Sequence, residues 1–379
     1  MTGHWLASFA SPTHDVALRR AQARHLLVED AQLQMQVFLR THSSAISERS
    51  AGLVDFLAGW AESETVSHAE VLGIPIAQEC WRREALDPVW VAASSALHLA
   101  AAGRPGDWTA AFLDPLPLRT RLAVTRPVLG VSCTQERLEL AQQDGSTVVC
   151  QVDALGQSVL GTELTRVEVG PANLFIMTPG SQLTFPIDPD LEEALELGQS
   201  IEGIRQTVAE ALGRLRDFAP QYFDWVAEVV HTLAPRLPPS ADGYSSSSGP
   251  SRPGVVHVSF PISTVALMES LVHEASHQYY HLCLLETLFG NGRDERLYLN
   301  PYIAKERPIE RILIAFHAFS NIVLFYRSYL GRQAGTEPQD DLGVHVERLR
   351  DWDRALGQTD GLTSDGRFLY ETIRQPIFG

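Results

Sequence analysis

The sequence predicts an α+β fold that is mostly helical, with a small central β-sheet and a C-terminal helical unit. Apolar residues recur at helical spacing over residues 15–62, for example Leu26, Leu33 and Val37. Over residues 128–186 the chain instead becomes rich in Val, Thr and Leu and is interrupted by turn residues, which is typical of short strands. Beyond this part the helical spacing returns and continues to the C-terminus.

Length and composition are those of an ordinary globular protein. The chain has 379 residues, of which 45% are hydrophobic and 20% are charged, so it can bury a large core in two or three packed units. We predict a helical region over residues 1–125 and a central region of sheet and helices over 126–250. A metal-binding helical region is predicted over 251–379.

The charge balance narrows the classes of partner. The net charge of -16, from 46 acidic and 30 basic residues, argues against a nucleic-acid partner and against an anionic membrane surface. The four cysteines are scattered without a CxxC pair, and neither a leader peptide nor a run of 18 apolar residues is recognisable. We therefore expect a cytoplasmic protein with no nucleic-acid or membrane partner; its oligomeric state is left open.

Secondary-structure signals divide the first two regions. Helices are predicted over residues 15–62 and 89–102, and the second ends at Gly103-Arg104-Pro105-Gly106. Strands are predicted over residues 128–133, 146–153, 158–169 and 173–186. Two helices are predicted after them, over residues 190–212 and 218–237.

The C-terminal region begins after a low-complexity stretch. Residues 238–250, rich in Pro, Ser and Gly, predict a mobile loop that can serve as a lid. The predicted elements beyond it are a strand over 254–261, a helix capped by Ser263 or Thr264 that ends near Phe289, an extended piece over 297–300, a helix from Pro308 to about Tyr329, and helices over 340–356 and 362–374.

The motif His273-Glu274-Ala275-Ser276-His277 carries the strongest functional signal. Two histidines four residues apart on a helix point the same way, so both imidazoles can reach one divalent ion. Glu274, between them, lies where it can act on a metal-bound water. The alternative is a pair of core histidines satisfied by hydrogen bonds, which the apolar helical context and the preceding strand make the weaker interpretation.

A third ligand has to come from another element. His281 is eight residues, about 12 Å of helical rise, from His273, which is too far for one ion. The next helix offers Glu310 and His317, which are seven residues apart and share a face. We favour His317 as the metal ligand, because it lies in an apolar stretch where it needs a strong partner, and expect Glu310 to orient a ligand or a basic residue.

Residues 254–330 resemble the HExxH-motif proteins of bacterial ribosomal-peptide biosynthesis. The resemblance is carried by a short strand before Leu271-Val272-His273-Glu274-Ala275-Ser276-His277-Gln278, by Leu297-Tyr298-Leu299-Asn300-Pro301-Tyr302, and by Arg307-Pro308-Ile309-Glu310-Arg311 opening a helix with His317-Ala318-Phe319. It implies a zincin-like helix unit in an iron(II)- and 2-oxoglutarate-dependent hydroxylase that acts on the β-carbon of residues in a precursor peptide.

That resemblance implies roles for individual residues. His273, His277 and one of His317 or Glu310 would hold the iron, with His317 the favoured third ligand and Glu274 and Glu310 the candidate catalytic residues. A cation is needed for the distal carboxylate of 2-oxoglutarate, and Arg307 or Arg311 can supply a bidentate guanidinium.

Two other functions stay open from the sequence. The first is a zinc peptidase or amidase with Glu274 as general base. The chain departs from the third-ligand patterns of two peptidase classes. One class requires glycine and histidine where the chain has Tyr280 and Cys283, and the other requires aspartate where it has Ile314. The second is a non-catalytic peptide-binding protein with a structural metal.

Overall fold

The described part of the chain is mixed α and β and mostly helical, as the predicted α+β class requires. The structure is a computed structural model that describes residues 3–12, 15–66, 70–71, 87–116, 128–151, 164–170, 172–177, 200–238, 245–250, 253–302, 304–332 and 339–379.

Ten helices lie in these residues. They are α1 (Gly3–Ala10), α2 (Val16–Ser47), α3 (Leu53–Ala61), α4 (Pro88–Ala101), α5 (Ile201–Phe218), α6 (Pro220–Val229), α7 (Thr264–Glu286), α8 (Ile309–Leu330), α9 (Gln339–Gln358) and α10 (Ser364–Phe378).

The first of two five-stranded sheets is antiparallel throughout and follows chain order. Its strands are β1 (Ser50–Ala51), β2 (Trp108–Leu116), β3 (Val128–Cys133), β4 (Arg137–Gln142) and β5 (Thr147–Gln151).

The second sheet lies beside the predicted metal helix. Its strands are β6 (Leu164–Val169), β7 (Ala172–Met177), β8 (Thr232–Arg236), β9 (Ser246–Ser247) and β10 (Val255–Ser259), in the spatial order β6-β7-β8-β10-β9. Strands β7, β8 and β10 run parallel, and the short β9 pairs antiparallel with β10 at the edge. A separate hairpin joins β11 (Tyr298–Asn300) to β12 (Lys305–Arg307). The second sheet thus has strands on both sides of residue 250, and the predicted domain boundaries stay a prediction.

Helix α7 is the centre of the C-terminal half. Ser263 caps it by accepting a hydrogen bond from the Ala266 amide at 3.2 Å, as one of the two predicted caps. The buried side chains along it, which pack into the common core, are Leu267, Met268, Leu271, Val272, Ala275 and Tyr279. Helices α1, α2, α5, α6 and α8 all contact α7, so the motif histidines stand on a helix that is fixed on several sides.

The single helix predicted over residues 15–62 is wrong, because the chain breaks between α2 and α3. Strand β1 pairs with β2 there, so a long-range strand pairing interrupts the local helical spacing. Gly52 makes the turn with φ +71°, and a Cβ on it would lie 2.5 Å from the Asp107 carbonyl oxygen. Helix α4 and strand β3 are confirmed, whereas α1, β2 and β4 were not predicted.

The helix predicted over 218–237 is wrong in its second half. Helix α6 ends at Val229, and β8 follows as an inner strand of the second sheet. A short apolar run of this kind does not separate a buried strand from a helix by its spacing alone. Strands β6 and β7 lie within the strands predicted at 158–169 and 173–186 except for the first residue of β7. The other parts of these predictions fall in residues 152–163 and 178–199, which lie outside the described residues.

The helices and strands predicted from residue 254 onward are confirmed. They correspond to β10, α7, β11, α8, α9 and α10. The low-complexity stretch is different: residues 245–250 are described and contain β9, whereas 239–244 lie outside the described residues. Helix α8 is, within the described part, the one helix long and apolar enough to cross a membrane, but 78% of its apolar window is buried, as in a core helix.

Candidate metal centre

The two motif histidines lie on α7 with their ring nitrogens facing each other. His273 Nε2 and His277 Nε2 are 2.9 Å apart, and the ring planes are nearly perpendicular at 88°. Bonds of about 2.1 Å that meet at one ion at about a right angle place two nitrogens about 3.0 Å apart. This spacing suits two ligands of one ion, and it also suits a hydrogen bond between the two nitrogens, in which one Nε2 carries the proton. To bind an ion through both Nε2 atoms, that ring would move its proton to Nδ1.

Both rings are held in the form that binds a cation. Burial lowers the pKa of His273, and the neighbouring Glu274 carboxylate opposes that shift. Burial lowers the pKa of His277 well below its ordinary value, and the charges of His273, His281, His317 and Arg311 add to the effect. Because only a neutral imidazole can donate a lone pair to a metal, the pair is ready to bind an ion at neutral pH.

Glu274 is turned to strand β9 rather than being free in the site. It is buried, with 1% of its surface exposed. Ser246 Oγ donates to its Oε1 at 2.6 Å, and Ser248 Oγ donates to its Oε2 at 2.6 Å. To act as a base on a metal-bound water, the carboxylate would have to give up one of these bonds. The sequence prediction missed both serines because their stretch was interpreted as a mobile loop; the signal was two serines at alternate positions, which share one face of a strand.

His281 continues the histidine row without joining the pair. Its ring centroid is 6.5 Å from that of His277. Burial lowers its pKa to about 4, and Arg311 adds to the shift. Its Nδ1 is buried without a hydrogen-bond partner among the described residues. The structure agrees with the expectation that His281 is not a third ligand of the same ion.

His317 is fully buried on α8 and is tied to helix α1. Its Nε2 is 2.9 Å from the Phe9 carbonyl oxygen, so this nitrogen donates and Nδ1 is left as the acceptor. Burial lowers its pKa to about 4, against the opposing effect of nearby backbone carbonyls. In the described parts of the chain, no three His, Cys, Asp or Glu side chains form a group that could hold a metal. The assignment of His317 as third ligand therefore stays a prediction and would use Nδ1.

Glu310 lies where α8 begins, against the end of α7. Its side chain occupies the space over Gly290, where an added Cβ would lie 1.8 Å from its Oε1. Tyr280 Oη also donates to the Glu310 backbone carbonyl at 3.3 Å. The missing side chain at Gly290 thus leaves room for the glutamate side chain.

The third-ligand assignment can be tested by comparing two substitutions. We expect His317→Ala to weaken metal binding by more than about 10²-fold, beyond the 10–100-fold typical of an outer-shell partner. Glu310→Gln should fall within that lower range. Zinc affinity by competition with a chromophoric chelator measures both. A larger loss in the glutamate variant would move the assignment to Glu310.

Of the two arginines predicted to bind the cosubstrate, Arg311 is the nearer to the histidines. It is exposed, and its charge lowers the pKa of both His277 and His281. No described carboxylate pairs with it within 4.0 Å. Arg307 lies on β12, opposite Tyr298, and is also exposed. The structure brings Arg311, but not Arg307, into electrostatic contact with the motif.

An aromatic wall flanks His273. The Phe319 ring lies 5.0 Å from the His273 ring and stacks on Tyr302 at 3.7 Å. The Tyr302 hydroxyl is 2.6 Å from His345 Nδ1. Tyr302 and Phe319 belong to segments that carry the family resemblance, whereas His345, on α9, had no signal in the sequence.

No protein-family model matches the chain, and no curated protein matches it either.

Proposed function

We propose that the chain is an iron(II)- and 2-oxoglutarate-dependent hydroxylase of the β-carbon of residues in a ribosomally made precursor peptide. In this proposal the sheet and the helix α7 form a zincin-like unit, and His273 and His277 are metal ligands. When bound, the ion and the cosubstrate supply the oxidation: one oxygen atom of O2 enters a peptide C–H bond, and the other enters the succinate formed as 2-oxoglutarate loses CO2.

The observation that carries this proposal is the engagement of Glu274. A peptidase of the HExxH type uses this glutamate as a base on metal-bound water. Here both carboxylate oxygens already accept a hydrogen bond, one from Ser246 of β9 and one from Ser248 just after that strand. A hydroxylase needs open coordination positions more than it needs a base, and two histidines with one further ligand leave such positions. The arrangement therefore favours oxidation over hydrolysis.

Arg311 supports a dicarboxylate cosubstrate. A guanidinium that lies near the histidine pair, and that no described carboxylate neutralises, suits the distal carboxylate of 2-oxoglutarate. Arg307, which is exposed on the adjoining hairpin, is the second candidate for binding this carboxylate.

The edge of the second sheet supports a peptide substrate. Ser247 pairs with His257 and Ser246 with Val258, and the Ser245 carbonyl accepts from the Ser259 amide at 2.9 Å. Because hydrogen-bonded and non-hydrogen-bonded pairs alternate between antiparallel strands, the backbone groups of Ser246 point away from β10. An extended peptide can add there through main-chain hydrogen bonds, alongside the helix that carries the histidines.

The direct test is stoichiometric. The anaerobically purified chain is loaded with iron(II) and given 2-oxoglutarate, O2 and a library of synthetic peptides. We expect succinate, and a peptide product that gains one oxygen atom with its backbone intact. The His273→Ala variant is the control. Peptide cleavage by the zinc-loaded chain, with no succinate formed from the iron-loaded chain, would replace the hydroxylase with a peptidase.

Glu274→Gln separates the same two activities. The glutamine amide can keep a contact with each serine, since a hydroxyl accepts as well as donates. We expect hydroxylation to fall by less than about tenfold, whereas loss of a general base would lower hydrolysis by about 10²-fold or more. Initial rates of succinate formation and of peptide cleavage are measured on the same preparations. A loss of about 10²-fold in succinate formation would contradict the supporting role given to Glu274.

A further inference from the structure

We infer that Ser246 and Ser248 are positioning residues, which hold the Glu274 carboxylate on strand β9 and so keep it from acting on water at the metal. The inference rests on the proposed function only in that His273 and His277 bind a metal ion. It assigns a role to a serine-rich segment that, by composition, is only a loop.

The two hydroxyls form a matched clamp. Ser246 lies in β9 and Ser248 directly follows the strand, and the hydroxyls of both donate to Glu274 on α7. Ser247, between them, instead accepts a hydrogen bond from Arg236 Nη1 at 3.2 Å. Each hydroxyl reaches a different oxygen of Glu274, and both distances are 2.6 Å, the range of an O–H donor to a charged carboxylate. One short segment, β9 and the residue after it, thus holds both oxygens at once.

The clamp compensates a buried charge. Glu274 is buried, and no arginine or lysine of the described residues lies within 4.0 Å of it as an ion-pair partner. A buried carboxylate without a cation depends on hydrogen bonds for its stability. The two serine hydroxyls are the side-chain hydrogen bonds that Glu274 makes in the structure, so the carboxylate orientation depends on them.

The order of side chains around α7 places Glu274 between the sheet and the histidine pair, so its hydrogen bonds decide to which side the carboxylate turns. Gln278 accepts a hydrogen bond from the Gly254 amide, just before β10, and Glu274 contacts β9. With about 100° of rotation per residue, Gln278 lies about 40° to one side of Glu274, and His277 and His273 lie about 60° and 100° to the other. The sequence around the helix is therefore β10, then β9, then the histidine pair.

Loss of the clamp should convert the site toward hydrolysis. Without the two hydroxyls, the Glu274 carboxylate next to His273 would be left to accept a hydrogen bond from a water on an ion held by the histidine pair. A carboxylate that accepts a hydrogen bond from that water can take its proton and so generate the attacking hydroxide. The two serines thus affect hydrolysis only by holding Glu274. Replacing the serines should therefore have no effect on hydrolysis when residue 274 is not a carboxylate.

The experiment uses the full chain loaded with cobalt(II) or zinc. The variants are Ser246→Ala/Ser248→Ala, the matched control Ser247→Ala, Ser246→Thr/Ser248→Thr, and each in a Glu274→Gln background. Metal content is measured first. The visible spectrum of the cobalt form then reports the coordination, and hydrolysis of 4-nitrophenyl acetate by the zinc form reports base catalysis. Because alanine on an edge strand can weaken folding, the single variants Ser246→Ala and Ser248→Ala are included.

We expect the double alanine variant to change the cobalt spectrum and to raise ester hydrolysis about tenfold, at the lower end of what a general base contributes. Ser247→Ala and the threonine variant, which keeps both hydroxyls, should match the original chain. Glu274→Gln should abolish the effect of the alanines, as a double-mutant cycle requires for coupled residues. If the double alanine variant does not fold, the single alanine variants are expected to show a smaller change in the cobalt spectrum and a smaller rise in ester hydrolysis.

The outcomes separate the two proposals. If the alanine variants bind metal and behave as Ser247→Ala does, the clamp is overturned while the proposed function stands. If the clamp effect is present but no succinate forms, the hydroxylase is overturned and the clamp stands. A chain that binds no metal at the histidine pair overturns both.

Discussion

His273→Ala and His277→Ala are each expected to abolish stoichiometric metal binding and all metal-dependent activity while the fold persists. In the proposed site the two Nε2 atoms, 2.9 Å apart, would both bind one ion, so removal of either ring would leave a single imidazole. Helix α7 keeps its own apolar face in the core, which does not depend on these rings. Elemental analysis after dialysis, together with circular dichroism, measures both parts of the expectation.

His281→Ala is the matched control for this prediction. It lies on the same helix, one turn beyond His277, with its ring 6.5 Å away. Metal content should be unchanged in this variant. Full metal occupancy in both His273→Ala and His277→Ala would end the proposal of a metal centre, and a loss in His281→Ala equal to theirs would show that the effect is one of folding.

Helix α7 was predictable because its signals are local. Ser263 as cap, the apolar spacing through Leu267 and Leu271, and the histidines four residues apart all lie within one element. A helix fixes the relative direction of such side chains, so the sequence alone implies that His273 and His277 converge.

What surrounds the pair was less predictable because it comes from pairing between distant parts of the chain. Strand β8 lies between β7 and β10, and its identity as a strand follows from that neighbourhood rather than from its own residues. Ser248 reaches Glu274 across 26 positions, and His317 reaches Phe9 across 308. A hydrogen bond of this kind leaves no periodic trace in a sequence.

The same limit applies to the third ligand. Glu310 and His317 share a helical face, and spacing alone left both open. The structure places the first over Gly290 and ties the second to the Phe9 carbonyl, so each has a structural contact of its own. The metal affinities of the His317→Ala and Glu310→Gln variants therefore decide between the two residues.

Arg19→Met is expected to lower the free energy of unfolding by about 3–5 kcal/mol, because it leaves a buried carboxylate without its cation. Arg19, on α2, is fully buried; its Nε and Nη2 donate to the two oxygens of Glu228 at 2.7 and 3.1 Å. Tyr279, two residues beyond His277 on α7, donates to Glu228 at 2.9 Å. The ion pair thus joins α2 and α6 to α7.

Urea unfolding of the metal-free chain measures the loss, and two variants control it. Arg20→Met removes a half-exposed partner of Glu228 at 3.3 Å and should cost less than about 1 kcal/mol, as exposed ion pairs do. Arg19→Met/Glu228→Leu removes both buried charges and should recover much of the stability, because a buried ion pair replaced by apolar groups is often neutral. A decrease of less than about 1 kcal/mol in the free energy of unfolding of Arg19→Met would mean that Arg20 pairs with Glu228 or that water solvates it. The buried pair would then not be what fixes α7 against α2.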